Sequence, residues 1–194
     1  MPKPWWDGGY SGQSIDEWIA LGEAYDPASL LFPLEMAVEQ KRDRVGSNGI
    51  TVEELTILAV EALEREVNNG GYSQFFTNSS GEFAPVIVDC LKRIDCPAVA
   101  GITAEALKAI GYAGGSSEEI AAAVERYCAA IDPHIQARII RPGDPKVEPP
   151  PMLAQLESIE NVLDECDQKY YSAGENIGGK LFEFIYANKG AILH

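Results

Sequence analysis

The chain has 194 residues, of which 46% are hydrophobic and 23% are charged, and these ordinary globular values exclude wholesale disorder. The formal net charge of −15 disfavours direct binding to nucleic acid, itself a polyanion, and leaves solubility or a basic protein partner as explanations. The sequence contains no apolar run of about 18 residues and begins without the apolar region of a signal peptide, so we expect a cytoplasmic protein with no membrane span.

Helical periodicity and capping signals fill most of the chain, and strand patterns are absent. After a leader of residues 1–13, helices are predicted over 14–25, 26–45, 51–68, 83–94, 97–110 and 120–131. A Pro-rich connector spans residues 141–151, and two further helices are predicted over 152–171 and 178–188. Capping boxes open three of these helices, with Ser14 and Glu17, Thr51 and Glu54, and Ser116 and Glu119 as the pairs.

These elements predict an all-α fold, a single-domain orthogonal or irregular helical bundle of about seven to eight helices. The core is expected to span residues 14–140, with residues 152–194 forming a C-terminal helical pair packed on it. In the leader, Trp5, Trp6 and Tyr10 are expected to pack on the chain's own core, and a homodimer contact through them is the alternative.

The segment from Val67 to Pro85 combines turn-forming residues with large aromatic ones. Asn and Gly tolerate the left-handed conformation that ends a helix, so residues 68–71 are expected to stop the helix before them. Aromatic rings at 72–76 would then point inward, and polar side chains at 78–80 would cap the next helix. The segment is therefore predicted to be a rigid corner, and the alternative is a polar pocket for a small ligand around Asn69, Gln74 and Asn78.

The same segment carries a family resemblance. The sequence LEREVNNGGYSQFFTNSSGEFAPVIVDCLKRI, residues 63–94, resembles the signature of a family of bacterial all-helical domains of unknown function, and the likeness extends over about residues 51–131. That family includes an acidic protein described as a DNA mimic, which occupies the DNA-binding surface of a transcriptional repressor. The resemblance implies an all-α fold, no established enzyme activity and a protein partner. The signature positions, which we expect to be mainly structural, are Glu66, Asn69, Gly70, Gly71, Tyr72, Gln74, Phe75, Phe76, Asn78 and Gly81.

Two stripes of acidic residues could supply the charge that a DNA mimic needs. On the helix predicted from residue 152, helical spacing places Glu157, Glu160, Asp164 and Asp167 on one face, and Lys169 is the only base in that helix. A shorter stripe on the helix from Thr51 consists of Glu54, Glu61 and Glu64. We expect both stripes to bind a basic partner, although an amphipathic helix needs a solvated polar face in any case.

Catalytic and metal-binding patterns are absent from the sequence. It has no GxSxG, GxxxxGK[ST] or HExxH motif, and its four cysteines and two histidines lack zinc-site spacing. We therefore predict no catalytic residues, no metal and no cofactor. The leading hypothesis is a non-enzymatic acidic interaction protein, a DNA mimic that binds a basic DNA-binding protein such as a transcription regulator or a nuclease. The alternative is a helical scaffold with a small polar ligand pocket at the corner, whose charge serves only solubility.

Overall fold

The structure, a computed structural model, describes residues 14–22, 27–138 and 151–193. Over these residues the chain forms α-helices and short 3₁₀ turns without any strand, which confirms the all-α prediction. The eight α-helices are α1 (Ile15–Gly22), α2 (Pro27–Val45), α3 (Val52–Thr77), α4 (Ile87–Arg93), α5 (Pro97–Ala109), α6 (Ser117–Arg138), α7 (Pro151–Ser172) and α8 (Ile177–Ala187). The predicted leader with its Trp5, Trp6 and Tyr10 lies outside the described residues, as does the predicted connector except for Pro151.

Three helix boundaries differ from the sequence-based expectation. Helix α3 continues to Thr77, because a second helical segment follows the Gly70–Gly71 pair. Helix α4 begins only at Ile87, after a 3₁₀ turn over Ser79–Phe83. Helix α6 continues beyond residue 131 to Arg138. Among the described helices, none is both long and apolar enough to cross a membrane.

The chain divides into two compact units, and unit 1 comprises Met1–Ala62, Asp89–Pro97 and Glu175–His194. Within its described part, helices α1 and α8 both contact α2. Trp18 of α1 is buried, and its indole N–H donates a hydrogen bond to the Leu30 carbonyl oxygen at 2.9 Å. Its ring centroid lies 5.2 Å from that of Phe182 on α8. The tryptophan therefore holds the three helices together while its one polar atom is satisfied.

The buried carboxylate of Glu54 accepts hydrogen bonds from several parts of unit 1. It completes the predicted capping box, since its carboxylate accepts from the Thr51 backbone N–H at 2.9 Å and its own N–H donates to Thr51 Oγ1 at 3.1 Å. The same carboxylate accepts from Lys41 Nζ at 2.9 Å and from the Leu193 backbone N–H at 2.6 Å. Glu54 is fully buried, so these donors replace the water that a carboxylate would otherwise need.

Unit 2 comprises Leu63–Val88 and Ala98–Gly174, and it contains the corner and most of α5, α6 and α7. Its core consists of apolar and aromatic side chains that recur at helical spacing, so each helix buries one stripe. Among the buried residues are Leu63, Val67, Tyr72, Phe75, Phe76, Leu107, Ala123, Tyr127, Leu163, Cys166 and Tyr170.

Replacing Glu54 with Gln should lower the free energy of unfolding by about 3 kcal/mol, because the change leaves the partly buried Lys41 ammonium without its counter-charge. Urea denaturation of the two proteins at pH 7 measures the difference. The matched control is Glu183→Gln on α8, which is exposed and should shift stability by less than about 0.5 kcal/mol. Equal unfolding midpoints for the two variants would show that the negative charge of Glu54 opposite Lys41 adds no stability.

Candidate functional site

The Gly70–Gly71 pair breaks helix α3. Gly71 has φ 78° and ψ −176°, and Gly70 has φ −160° and ψ 21°, so helical geometry stops after Asn69 and resumes at Tyr72. The positive φ of Gly71 is a conformation that residues with a side chain rarely adopt. The stretch expected to form a corner is thus a kink between two helical segments, 52–69 and 72–77.

The carboxylate of Asp167 on α7 lies directly at this kink. Its Oδ1 accepts a hydrogen bond from the Tyr72 backbone N–H at 2.8 Å. That N–H stands at the start of the second helical segment, where the helix itself provides no acceptor. A Cβ placed on Gly71 would lie 2.1 Å from Asp167 Oδ2, so the missing side chain makes room for the carboxylate. Gly71 is therefore needed both for its backbone conformation and for the approach of Asp167.

Asp167 was expected on an exposed acidic stripe, but the structure places it half-buried, as a cap for a helical segment of another helix. Burial raises the pKa of its carboxyl group, the Tyr72 hydrogen bond lowers it, and the neighbouring Asp164 carboxylate raises it further, with a net increase. Sequence analysis missed the capping role because Tyr72 and Asp167 are 95 residues apart, and no local pattern connects them.

Glu66 joins the two sides of the kink. Its carboxylate accepts hydrogen bonds from Gln74 Nε2 at 2.8 Å, Asn78 Nδ2 at 2.7 Å and Ser80 Oγ at 3.0 Å. Although burial would raise the pKa of Glu66, these three bonds and the positive charge of Arg65 lower it overall. The carboxylate is therefore held ionised at the point where the first helical segment, the second segment and the following 3₁₀ turn meet.

The aromatic residues of the signature all point inward. Tyr72, Phe75 and Phe76 are buried, and the Tyr72 hydroxyl shares a hydrogen bond with Thr103 Oγ1 at 2.8 Å. The ring of Tyr170 on α7 meets that of Tyr72 edge-on, with centroids 6.0 Å apart. Burial raises the pKa of the Tyr72 hydroxyl, so it stays neutral at physiological pH.

The remaining signature positions take two different environments. Gly81 is buried, and a Cβ there would lie 2.6 Å from the Phe76 carbonyl oxygen, so a glycine lets the 3₁₀ turn approach α3. Asn69 is exposed at the end of the first helical segment. A mainly structural role for the signature remains a prediction, and these contacts are the observations that support it.

The stripe predicted on α7 is exposed in part. Glu157 and Asp164 are exposed, whereas Glu160 and Asp167 are half-buried. Glu165, which sequence analysis did not include, is exposed as well. A helical wheel centred on the polar face of α7, opposite Leu163 and Cys166, would have found it.

The one base of α7 does not neutralise these acids. Lys169 Nζ lies 2.6 Å from Glu105 Oε2 on α5, and both side chains are about half exposed. The acidic face of α7, defined here as Glu157, Asp164 and Glu165, is therefore a local excess of negative charge.

The shorter predicted stripe does not form an exposed surface. Glu54 is buried against Lys41 in unit 1, so it cannot contribute to a partner surface. Glu61 is half-buried, and Glu64 is half-buried with its carboxylate accepting a hydrogen bond from the Tyr170 hydroxyl. Burial raises the pKa of Glu64 to about 7. Helical spacing predicts that these three residues share one face of α3, but in the structure they are buried or half-buried instead of exposed.

The kink and the acidic face of α7 meet in a concave site of about 510 Å³. Gly70 and Gly71 form one side, and α7 supplies the carboxylates of Asp164, Glu165 and Asp167. The exposed ring of Tyr171 lies beside them, and its hydroxyl donates to the Val67 carbonyl oxygen at 2.6 Å. A site with this lining favours a cationic group over an anionic one.

The alternative of a polar ligand pocket around Asn69, Gln74 and Asn78 remains a prediction, although two of these three amides are engaged by hydrogen bonds. Gln74 and Asn78 each donate a hydrogen bond from the side-chain amide N–H to the Glu66 carboxylate. Within the described part of the chain, no group of three or more histidine, cysteine, aspartate or glutamate side chains is arranged to hold a metal ion.

Replacing Gly71 with Ala should lower the free energy of unfolding by roughly 4 kcal/mol, from about 2 kcal/mol of strain in a backbone conformation nearly exclusive to glycine and about 2 kcal/mol for the displaced Asp167 hydrogen bond. The control is Gly174→Ala, where φ is also positive at 70° but a Cβ would meet nothing within 4 Å, so only the strain of about 1 kcal/mol is expected. Thermal or urea unfolding measures both variants. The steric explanation also requires that Gly71→Ala cost less in an Asp167→Ala background, and purely additive effects would contradict it.

The raised pKa of Glu64 makes stability depend on pH. Between its ordinary value of 4.5 and about 7, the folded chain keeps the Glu64 proton while the unfolded chain has lost it, so this group's contribution to stability falls as pH rises through that window. Glu64→Gln should therefore unfold at a higher urea concentration than the wild type at pH 8, and the gap should shrink towards pH 5. Exposed Glu157→Gln is the control and should show no such trend. A gap that does not change with pH would mean that Glu64 titrates normally.

A comparison with protein-family models matches residues 48–188, well over half of the chain, to the family described as DMP19-like protein. Searches of the curated proteins and of the solved structures find no match. The matched range includes the whole signature, the kink and helix α7. The chain therefore belongs to the DMP19-like protein family.

Proposed function

We propose that this protein is a non-enzymatic acidic interaction protein, a DNA mimic whose acidic face on α7 binds a basic DNA-binding protein. Membership of the DMP19-like family supports this proposal, because the resemblance of the signature implies a relative that occupies the DNA-binding surface of a repressor. The partner class that fits is a transcription regulator or a nuclease. We place the protein in the cytoplasm, where such a partner acts on DNA.

The acidic face of α7 is the observation that carries the proposal. Glu157 and Asp164 are seven residues apart, which corresponds to about 10.5 Å along the helix axis. Glu165 extends the same exposed face, and the single base of α7 is engaged by Glu105. Anions held on one face of a rigid helix offer a basic protein negative charge in fixed positions, as a phosphate backbone does.

The net charge of the whole chain also favours a basic partner. With a net charge of −15, the protein repels nucleic acid and attracts a basic partner over distances up to about a Debye length, ~8 Å at physiological salt. Binding through such a field is expected to be fast and to weaken as salt rises. Salt dependence therefore distinguishes a charge-driven partner from one held by apolar contact.

Catalysis is not part of this proposal. The two carboxylates closest to the kink already serve the fold, because Glu66 accepts three side-chain hydrogen bonds and Asp167 caps the Tyr72 N–H. A general acid or base needs a carboxylate that can change its partners during a reaction.

The test is capture of partners on the immobilised protein, followed by a salt gradient and competition with duplex DNA. A basic DNA-binding protein should be released by moderate salt and should be displaced by DNA, because both ligands would occupy one surface. The triple variant Glu157→Lys, Asp164→Lys, Glu165→Lys should lose this binding, since it reverses the charge of the acidic face. Asp167 and Glu160 are left intact because the first caps Tyr72 and both are half-buried.

The control variant carries the same change in net charge elsewhere, at the exposed positions Asp43, Asp89 and Glu183, each replaced with Lys. It should retain most of the binding if the position of the charges matters. Equal loss in both variants would indicate a response to net charge alone, and unchanged binding by the triple variant on α7 would refute the assignment of the surface.

A further inference from the structure

A second concave surface lies between the C-terminal end of α3 and helix α6. It is a groove of about 400 Å³ between the end of α3, the 3₁₀ turn and helix α6. Its apolar lining includes Phe76, Pro85, Ala121 and Val124. It contains none of the residues of the acidic face, so the proposed function does not account for it.

The groove is held in shape by contacts of the signature. Asn78 and Ser80 are tied to Glu66, which fixes the turn that forms one wall. On the opposite wall, the Cys128 thiol donates a hydrogen bond to the Phe76 carbonyl oxygen at 3.3 Å, which joins α6 to the end of α3. A ligand would therefore meet a surface that already has its shape, and little ordering cost would oppose binding.

The residues that line the groove determine which kind of chemical group it can bind. Pro85 and Ala121 are half-buried and offer apolar contact, whereas Phe76 and Val124 are almost fully buried. The Asn78 amide that also lines the groove is engaged by Glu66. Two exposed carboxylates, Glu82 and Glu125, line the groove as well. An apolar floor beside two acids is complementary to an apolar side chain that has a positive charge next to it.

We propose that this groove binds an aliphatic side chain flanked by basic residues, presented by the basic protein that the acidic face of α7 attracts. The inference rests on the proposed function for the class of partner. A protein segment fits better than a small molecule, because the groove is open to solvent along its length and would leave a small ligand poorly enclosed. The acidic face then supplies attraction and the groove supplies a specific contact.

The test uses a short peptide in place of the unidentified partner. The isotope-labelled full-length protein is titrated with acetyl-Lys-Lys-Leu-Lys-Lys-amide, and the backbone amide signals of α6 and α7 are followed by NMR. The control peptide has Ser in place of Leu and the same charge. We expect the Leu peptide to shift the signals of Ala121, Val124 and Glu125 and to bind roughly fivefold more tightly than the Ser peptide.

A matched pair of variants on α6 tests the location. Ala121→Trp fills the groove and should abolish the preference for Leu over Ser, whereas Ala129→Trp on the exposed face of α6 should leave it unchanged. Ala121→Met is the milder substitution if Trp disturbs the fold, and the helical circular dichroism of each variant checks this.

The two proposals fail in different ways. Shifts on α7 at Glu157, Asp164 and Glu165 without shifts at Ala121 and Val124 would overturn the groove and leave the acidic face standing. Shifts confined to the groove would overturn the role of the acidic face. Equal affinity for the Leu and Ser peptides would show that the groove does not recognise an apolar side chain, even if both surfaces respond to charge.

Discussion

The hydrogen bond from the Tyr72 backbone N–H to Asp167 is the contact on which unit 2 depends. The kink at Gly71 starts a new helical segment, and its first N–H groups need acceptors from elsewhere. Tyr72 is fully buried, so its N–H depends on an acceptor that the chain itself supplies. Asp167 provides the acceptor, and this fixes how α7 is turned against α3. In that orientation Leu163 and Tyr170 face the core, and the acidic face of α7 points outward.

The acidic residues fall into two groups that the net charge does not distinguish. Glu54, Glu66 and Asp167 are buried or half-buried, and each is satisfied by donors at hydrogen-bond distance. Their role is to satisfy backbone and side-chain N–H groups that have no other acceptor. The exposed acids, such as Glu157 and Glu165, have no part in that network, and only they can approach a partner. The acidic surface that a partner can reach is therefore smaller than a charge of −15 suggests.

Local signals predicted the helices and the break in α3, because capping boxes and glycine pairs act within four residues. The Thr51–Glu54 box and the stop after Asn69 were both predicted and are both present. The contacts that form the site join distant positions, such as Tyr72 with Asp167, 95 residues apart. A helical repeat tells which residues share a face, but it does not tell whether that face is buried. That is why Glu54 and Glu64 were placed on a surface stripe, although one is buried and the other half-buried. Glu165, by contrast, lies on the polar face of α7 and could have been found from the sequence.

The signature contains few acids, yet it belongs to a protein for which we propose recognition through acids, and the geometry of the kink reconciles these facts. Gly70 and Gly71 line the concave site to which α7 contributes its carboxylates, and Phe76 and Gly81 line the apolar groove. A mimic must hold its charges in fixed positions, because mobile charges would lose side-chain entropy on binding. The signature supplies that rigidity, and α7 supplies the charge.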